Sequence, residues 1–138
     1  MAFNILVVDD SAVMRQMIVR TLRLSGVPLG EIVEAADGAA ALACIAEHWV
    51  DLVLLDINMP VMDGEEMLRR LRADPALADL PVVAITAHAM RGYREQLLAA
   101  GFDGYVSKPI VDEHQLFAAI DACVARGADV VGAPGGVP

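Results

Sequence analysis

Four stretches of the chain are apolar almost without interruption: residues 5–8, 50–55, 82–85 and, less purely, 32–35. A strand with one wet face alternates apolar and polar residues, whereas a strand covered on both faces, as in a parallel sheet flanked by helices, is apolar throughout. The four runs are predicted as strands of the second kind, with a short fifth at 105–107. Between them the apolar period lengthens to that of a helix. Met14, Met17, Ile18 and Leu22 recur at helical spacing after Ser11, a residue suited to an N-cap, and Gly26 stands where a C-terminal stop belongs. A second helix is predicted over 38–47. A third covers 64–73, opened by Asp63 with Glu66 three residues on, the pattern of a capping box, and closed before Pro75. A fourth runs over 90–100 to Gly101, and a fifth over 113–126 between Asp112 as cap and Gly127 as stop. Five repeats of strand then helix, joined by right-handed crossovers, give an α/β fold: a doubly wound parallel sheet with helices on both faces. Residues 1–127 are expected to form one domain, and 128–138, rich in Gly, Pro and Val, a flexible C-terminal tail or the start of a linker.

Charge and composition narrow the picture. The chain has 138 residues and a net charge of −9, and Lys and Arg cluster nowhere, which argues against direct nucleic-acid binding. Hydrophobic residues make up 57% of the chain, yet no run approaches the ~18 needed to span a bilayer, so no membrane association is expected. Residues 1–4 lead straight into the first strand without a basic, then apolar, leader, and a cytoplasmic location is expected. Cys44 and Cys123 lack the paired spacing of a disulfide scaffold or a zinc site. They fall on the second and fifth helices, which cover opposite faces in this topology, so no bridge between them is expected. Trp49 and the methionines at 14, 17 and 67 are expected to pack in the interior, and Met59 and Met62 to shape the loop after the third strand. His48 and His114 are expected on helix surfaces.

The chemistry collects at strand ends. In open α/β sheets the functional crevice lies beyond the carboxyl ends of the strands. Strand 1 ends in Asp9 and Asp10, strand 3 in Asp56, strand 4 in Thr86 and strand 5 in Ser107 and Lys108. Any one of these alone reads as a cap or loop residue. Together, from four strand ends, they converge on one edge. Three neighbouring carboxylates repel and call for a cation, so the cluster reads as a site for a hard metal such as Mg²⁺. Lys108 is the only lysine of the chain; the other nine basic residues are arginines.

The stretches ILVVDDS (5–11), LLDINMPVMDG (54–64), AITAHA (84–89) and YVSKP (105–109) resemble the receiver domains of response regulators, the CheY-like family of bacterial two-component phosphorelays. The likeness is greatest to single-domain regulators and to receivers of hybrid histidine kinases. It covers residues 3–126 and implies a flavodoxin-like sheet of five strands in the order 2-1-3-4-5 with five helices. It also implies a phosphorylatable switch. Asp56 is then the phosphoacceptor, and Asp9 and Asp10, with Asp56 and the backbone carbonyl of Asn58, hold Mg²⁺ or Mn²⁺. Thr86 matches the hydroxyl that contacts the phosphoryl group, Lys108 the cation that pairs with it, and Tyr105 the switch aromatic. Ala87 leaves the approach to Asp56 open, and Asn58 and His88 tune dephosphorylation. The implied partners are a histidine kinase or histidine phosphotransfer protein, and a downstream protein that reads the face of helix 4, strand 5 and helix 5. A monomer or weak dimer is expected.

Two other readings stand beside this one. Phosphatases of the haloacid dehalogenase type also use a nucleophilic Asp, a Thr, a Lys and Mg²⁺ on such a sheet. They require an acid/base Asp two residues after the nucleophile, and that position is Asn58 here, which cannot move a proton in that role. A receiver-like interaction module that is never phosphorylated would be expected to lack one of the site residues, and none is missing. The chain is therefore expected not to be an enzyme beyond catalysing its own phosphorylation and dephosphorylation.

Overall fold

The apolar runs become strands whose neighbours in space are not always their neighbours in sequence. A computed structural model of the chain describes residues 2–57, 64–86, 93–107 and 116–122. Its elements alternate as β1 (Phe3–Val8), α1 (Ala12–Leu24), β2 (Leu29–Ala35), α2 (Gly38–Glu47), β3 (Leu52–Asp56), α3 (Gly64–Ala73), β4 (Val82–Thr86), α4 (Tyr93–Ala100) and β5 (Gly104–Ser107). Residues 116–122 form a further helical stretch, α5. The five strands are parallel in the order β2-β1-β3-β4-β5, the expected doubly wound, flavodoxin-like arrangement.

Strand periodicity divides the core in two. Ile5 and Val7 of β1, Leu52 and Leu54 of β3, and Val83 and Ile85 of β4 face Ile18 and Leu22 of α1 and Leu116 and Ile120 of α5. Leu6, Val8, Val53, Leu55, Val82 and Ala84 face the opposite way, against Ala41 of α2, Met67, Leu68 and Leu71 of α3, and Leu97 of α4. β3 and β4 are buried along their whole length, whereas the edge strands β2 and β5 are only partly covered, which is why their sequences are less purely apolar. Each fully buried Leu or Ile on the central strands contributes about 1.5–3 kcal/mol relative to exposure.

Local signals account for the helix ends. Ser11 is the N-cap of α1, its Oγ accepting the Met14 N–H at 3.2 Å, and Asp37 caps α2 by accepting the Ala40 N–H at 2.8 Å. Gly26 and Gly101 follow α1 and α4 at φ of 90° and 116°, a backbone that favours glycine. Glu66 meets Arg69 and Arg70 on its own helix, while its predicted capping partner Asp63 lies outside the described residues. So do Asp112, His114, Cys123, Met59, Met62 and the tail at 128–138.

Four expectations need correction. β2 begins at Leu29 rather than at Ile32. β3 begins at Leu52 rather than at Val50, because the Asp51 carboxylate turns to the Asn4 N–H at 2.8 Å and ends the strand there. Trp49 is 77% exposed rather than buried, with its indole N–H donated to Asp51 Oδ1 at 2.8 Å. Met17 is 43% exposed: it lies one residue off the buried stripe of Ile18 and Leu22, on the solvent side of α1. Met67 is buried and Met14 packs partly against the α1 core, as expected. Cys44 is half-buried against the α2 side, and His48 sits at the end of α2 beside Glu31 at 3.3 Å.

Arg72 at the end of α3 ties together the segments entering β4 and β5. Its guanidinium donates to the carbonyls of Leu77 (3.4 Å), Leu80 (2.8 Å) and Gly101 (3.1 Å) and to Asp103 Oδ2 (2.9 Å). The same Asp103 oxygen accepts the Val82 N–H at 2.9 Å. No helix among the described residues is long and apolar enough to cross a membrane.

Candidate functional site

Strand register places the acidic residues level with one another. Val8 pairs with Leu55, so Asp9, one residue on, stands beside Asp56 on the adjacent strand. Asp56 pairs with Ile85, so Thr86 projects one residue beyond it, and Thr86 pairs with Ser107 at the end of β5. Asp9 and Thr86 are fully buried and Asp56 is 3% exposed, whereas Asp10 is open to solvent. One carboxylate oxygen from each of Asp9, Asp10 and Asp56 lies within 4.8 Å of the others. The site is thus an acidic floor of two buried carboxylates with a third at its rim.

The backbone around this floor is fastened at several points. The Asp9 N–H donates to Ala35 O at 3.1 Å, and Asp9 Oδ1 accepts the Ser11 N–H at 2.9 Å, which closes the turn from β1 into α1. Arg15 Nη1 donates to the Asp9 carbonyl at 2.7 Å. Beyond Asp56, the Ile57 N–H donates to Ile85 O at 3.1 Å, and the Gly64 N–H returns to Ile57 O at 3.0 Å. Gly64 lies so close that a Cβ there would stand 2.9 Å from Ile57 Cα and 3.0 Å from the Asp56 carbonyl oxygen. α3 therefore rests its first residue directly on the Asp56 backbone, and only glycine permits it. No buried side-chain nitrogen or oxygen among the described residues lacks a hydrogen-bond partner.

The donor set fits a hard divalent cation. Mg²⁺ prefers oxygen ligands and commonly takes one or two carboxylates, filling its remaining positions with water or phosphate oxygens. Carboxylates gathered from β1 and β3, one of them exposed to solvent, present that combination. Among the described residues, neither Cys nor His, the softer ligands, joins this cluster.

The expected residues are brought together as far as the described chain extends. Asp9, Asp10, Asp56 and Thr86 share the carboxyl edge of the sheet. Tyr105 stands on the neighbouring strand, opposite Ala84 and half-buried against the core on the α2–α3–α4 side. Lys108, Asn58 and His88 lie outside the described residues, as does Ala87. Two contributors went unread in the sequence. Arg15 was hidden among the polar positions of an amphipathic helix. Gly64 was in view as the last residue of LLDINMPVMDG, but its packing role was not.

Fold and edge together define a flavodoxin-like domain with an acidic site at the carboxyl ends of its central strands. The chain belongs to the response regulator receiver domain family, which it matches over residues 5–121. It is 41% identical over 106 residues to chemotaxis protein CheY-3 of Vibrio cholerae serotype O1, covering 77% of this chain and 80% of that one. It is 34% identical over 110 residues to the polar-differentiation response regulator DivK of Brucella abortus, covering 80% and 87%. Among solved structures, a putative response regulator from Chloroflexus aurantiacus superposes with a TM-score of 0.81 at 28% identity, covering 91% of this chain and 100% of that one. CheY4 of Vibrio cholerae superposes with a TM-score of 0.77 at 30% identity, covering 89% and 99%.

Proposed function

We propose that the chain is a phosphoacceptor switch in which Asp56 takes a phosphoryl group from the phosphohistidine of a histidine kinase or histidine phosphotransfer protein. The observation that carries this reading is the position of Asp56: nearly buried at the end of β3, with an oxygen within 4.8 Å of those of Asp9 and Asp10. An ionised carboxylate is already a nucleophile and needs no separate base. An Asp56 oxygen attacks phosphorus in line, the new O–P bond forming as the P–N bond to the donor imidazole breaks. The imidazole leaves neutral, because its other ring nitrogen carries the proton.

Charge in such a transition state spreads over the phosphoryl oxygens, so catalysis is mostly positioning and neutralisation. Asp9, Asp10, Asp56 and the backbone carbonyl that the family pattern assigns to Asn58 would hold Mg²⁺ or Mn²⁺, which would supply positive charge against those oxygens. The same pattern gives Lys108 the pairing of a further oxygen, and Asn58 and His88 the tuning of hydrolysis. Thr86, buried on the adjacent strand, turns its hydroxyl to the phosphoryl group and leaves space that Tyr105 rotates to fill. The change reaches a partner protein on the surface of α4, β5 and α5. A differential of a few kcal/mol between the two conformers suffices.

Receiver domains are signalling switches, and that membership favours this reading over a phosphatase with an aspartate nucleophile. The receiver unit is taken to span 1–127, with 128–138 as tail, acting in the cytoplasm. The test is incubation with acetyl phosphate or phosphoramidate and Mg²⁺, followed by intact mass measurement. The wild type gains one phosphoryl group and Asp56→Asn gains none; equal labelling of the variant refutes the assignment.

A further inference from the structure

We propose that Arg15 is a positioning residue for the acidic edge, fixing the Asp9–Asp10 peptide so that the exposed Asp10 carboxylate stands ready for the metal. The inference rests on the metal reading above and adds a residue to it. Asp9 is held by burial and by the Ser11 N–H. Asp10 has neither support: its side chain is open to solvent, and its direction follows from the backbone that carries it. Besides the Asp9 N–H on Ala35 O and the Ser11 N–H on Asp9 Oδ1, that backbone is gripped at the carbonyl of the Asp9–Asp10 peptide itself by Arg15 Nη1 at 2.7 Å. Because a peptide group is planar, fixing the direction of its C=O also fixes the N–H of Asp10 and the path into Asp10 Cα.

The guanidinium is itself anchored to the sheet. Its Nε lies 3.0 Å from Glu34 Oε1, and Glu34 sits on β2 in register with Val7 of β1. The Arg15 side chain is 17% exposed. The planar fork of arginine directs Nε and Nη1 to two partners at once, which the single ammonium of lysine cannot reproduce in the same geometry. Arg15 thus links α1, β2 and the end of β1 at the point where the acidic pair begins.

Charge and position predict opposite signs, which makes the role measurable. A guanidinium near a cation site repels a divalent metal, so if Arg15 acted by charge alone its removal would tighten metal binding. If it positions Asp10, removal weakens binding, by about tenfold on the scale of residues that orient metal ligands. The experiment titrates Mn²⁺ alone into the full chain, by calorimetry or electron paramagnetic resonance, for wild type, Arg15→Gln, Arg15→Lys and Asp10→Asn. Melting in EDTA confirms that each is folded. The expected result is binding by wild type, loss in Asp10→Asn and weakening in both Arg15 variants, the Lys variant included although its charge is kept. If wild type binds and Asp10→Asn does not, but Arg15→Gln binds equally or more tightly, the positioning role is overturned and the metal reading stands. Should Arg15→Gln not fold, wild-type affinity in Arg15→Lys overturns it equally. Absence of binding by wild type, or full binding by Asp10→Asn, refutes the metal reading and the inference with it.

Discussion

The two ends of the sheet use aspartate in opposite ways. At the amino end, Asp51 and Asp103 each stand just before a strand and accept a backbone N–H from the adjacent one: Asp51 from Asn4 of β1 at 2.8 Å, Asp103 from Val82 of β4 at 2.9 Å. A second donor completes each, the Trp49 indole for Asp51 and the Arg72 guanidinium for Asp103. At the carboxyl end, Asp9 and Asp10 follow β1 and Asp56 ends β3, and the three crowd together within 4.8 Å. Carboxylates shared out among N–H donors register strands and close loops. Carboxylates gathered against one another oppose folding and are retained for what they bind. Substitution should therefore be destabilising at the first end and, without metal, neutral or stabilising at the exposed Asp10 of the second, whereas Asp9, which also accepts the Ser11 N–H, is tied into the fold.

The largest effect on stability is expected at Arg72. Arg72→Ala leaves three carbonyls and Asp103 without a shared donor and should lower unfolding free energy by about 2–4 kcal/mol. Urea denaturation reads this directly, and a loss below 0.5 kcal/mol would mean that water replaces the guanidinium at little cost. Gly64→Ala comes next. The new methyl must push against Ile57 and the Asp56 carbonyl, at an expected ~1–3 kcal/mol, and phosphorylation by acetyl phosphate should slow because the Asp56 backbone shifts.

The comparison is sharpest in a matched pair. Asp51→Ala should cost about 1–2 kcal/mol whether or not Mg²⁺ is present. Asp10→Ala should leave melting in EDTA unchanged or raised, and should abolish the rise that Mg²⁺ produces in wild type. A similar fall in both variants in EDTA would erase the distinction between the two ends. The smallest effect is expected at Glu66 on α3. Hydrogen bonds from Arg69 and then Arg70, with the charge of Arg69, hold its carboxyl below its ordinary value. A carboxyl whose folded pKa is lowered stabilises the protein above its unfolded pKa, and that contribution fades as pH falls through the folded value. Wild type should therefore exceed Glu66→Gln slightly at neutral pH, and the two urea midpoints should merge in acid. A difference that persists or grows in acid would contradict the pairing.

The strands and the acidic edge were legible because both are matters of periodicity and chain position. Continuous apolar runs identify β1, β3 and β4, and a parallel sheet carries the residues after them to one side. What escaped depends on closeness in space without a sequence signature. Arg72 and Asp103 lie 31 residues apart and Arg15 and Glu34 lie 19 apart, and no local pattern pairs them. Trp49 was misread because apolar bulk suggests burial, whereas its polar N–H found Asp51 and left the ring outside. Met17 shows that apolar spacing along a helix marks a stripe only to within a residue, and the stripe chosen by the sheet was Ile18 and Leu22.

The most direct test of the phosphoacceptor claim identifies the modified residue itself. After reaction with phosphoramidate and Mg²⁺, borohydride reduces an aspartyl phosphate to homoserine, which peptide mass spectrometry locates. The account predicts homoserine at position 56 and at no other aspartate, dependent on both the phosphodonor and Mg²⁺. Homoserine at position 9 or 10, or none at 56 under conditions that add a phosphoryl mass to the intact chain, would contradict it.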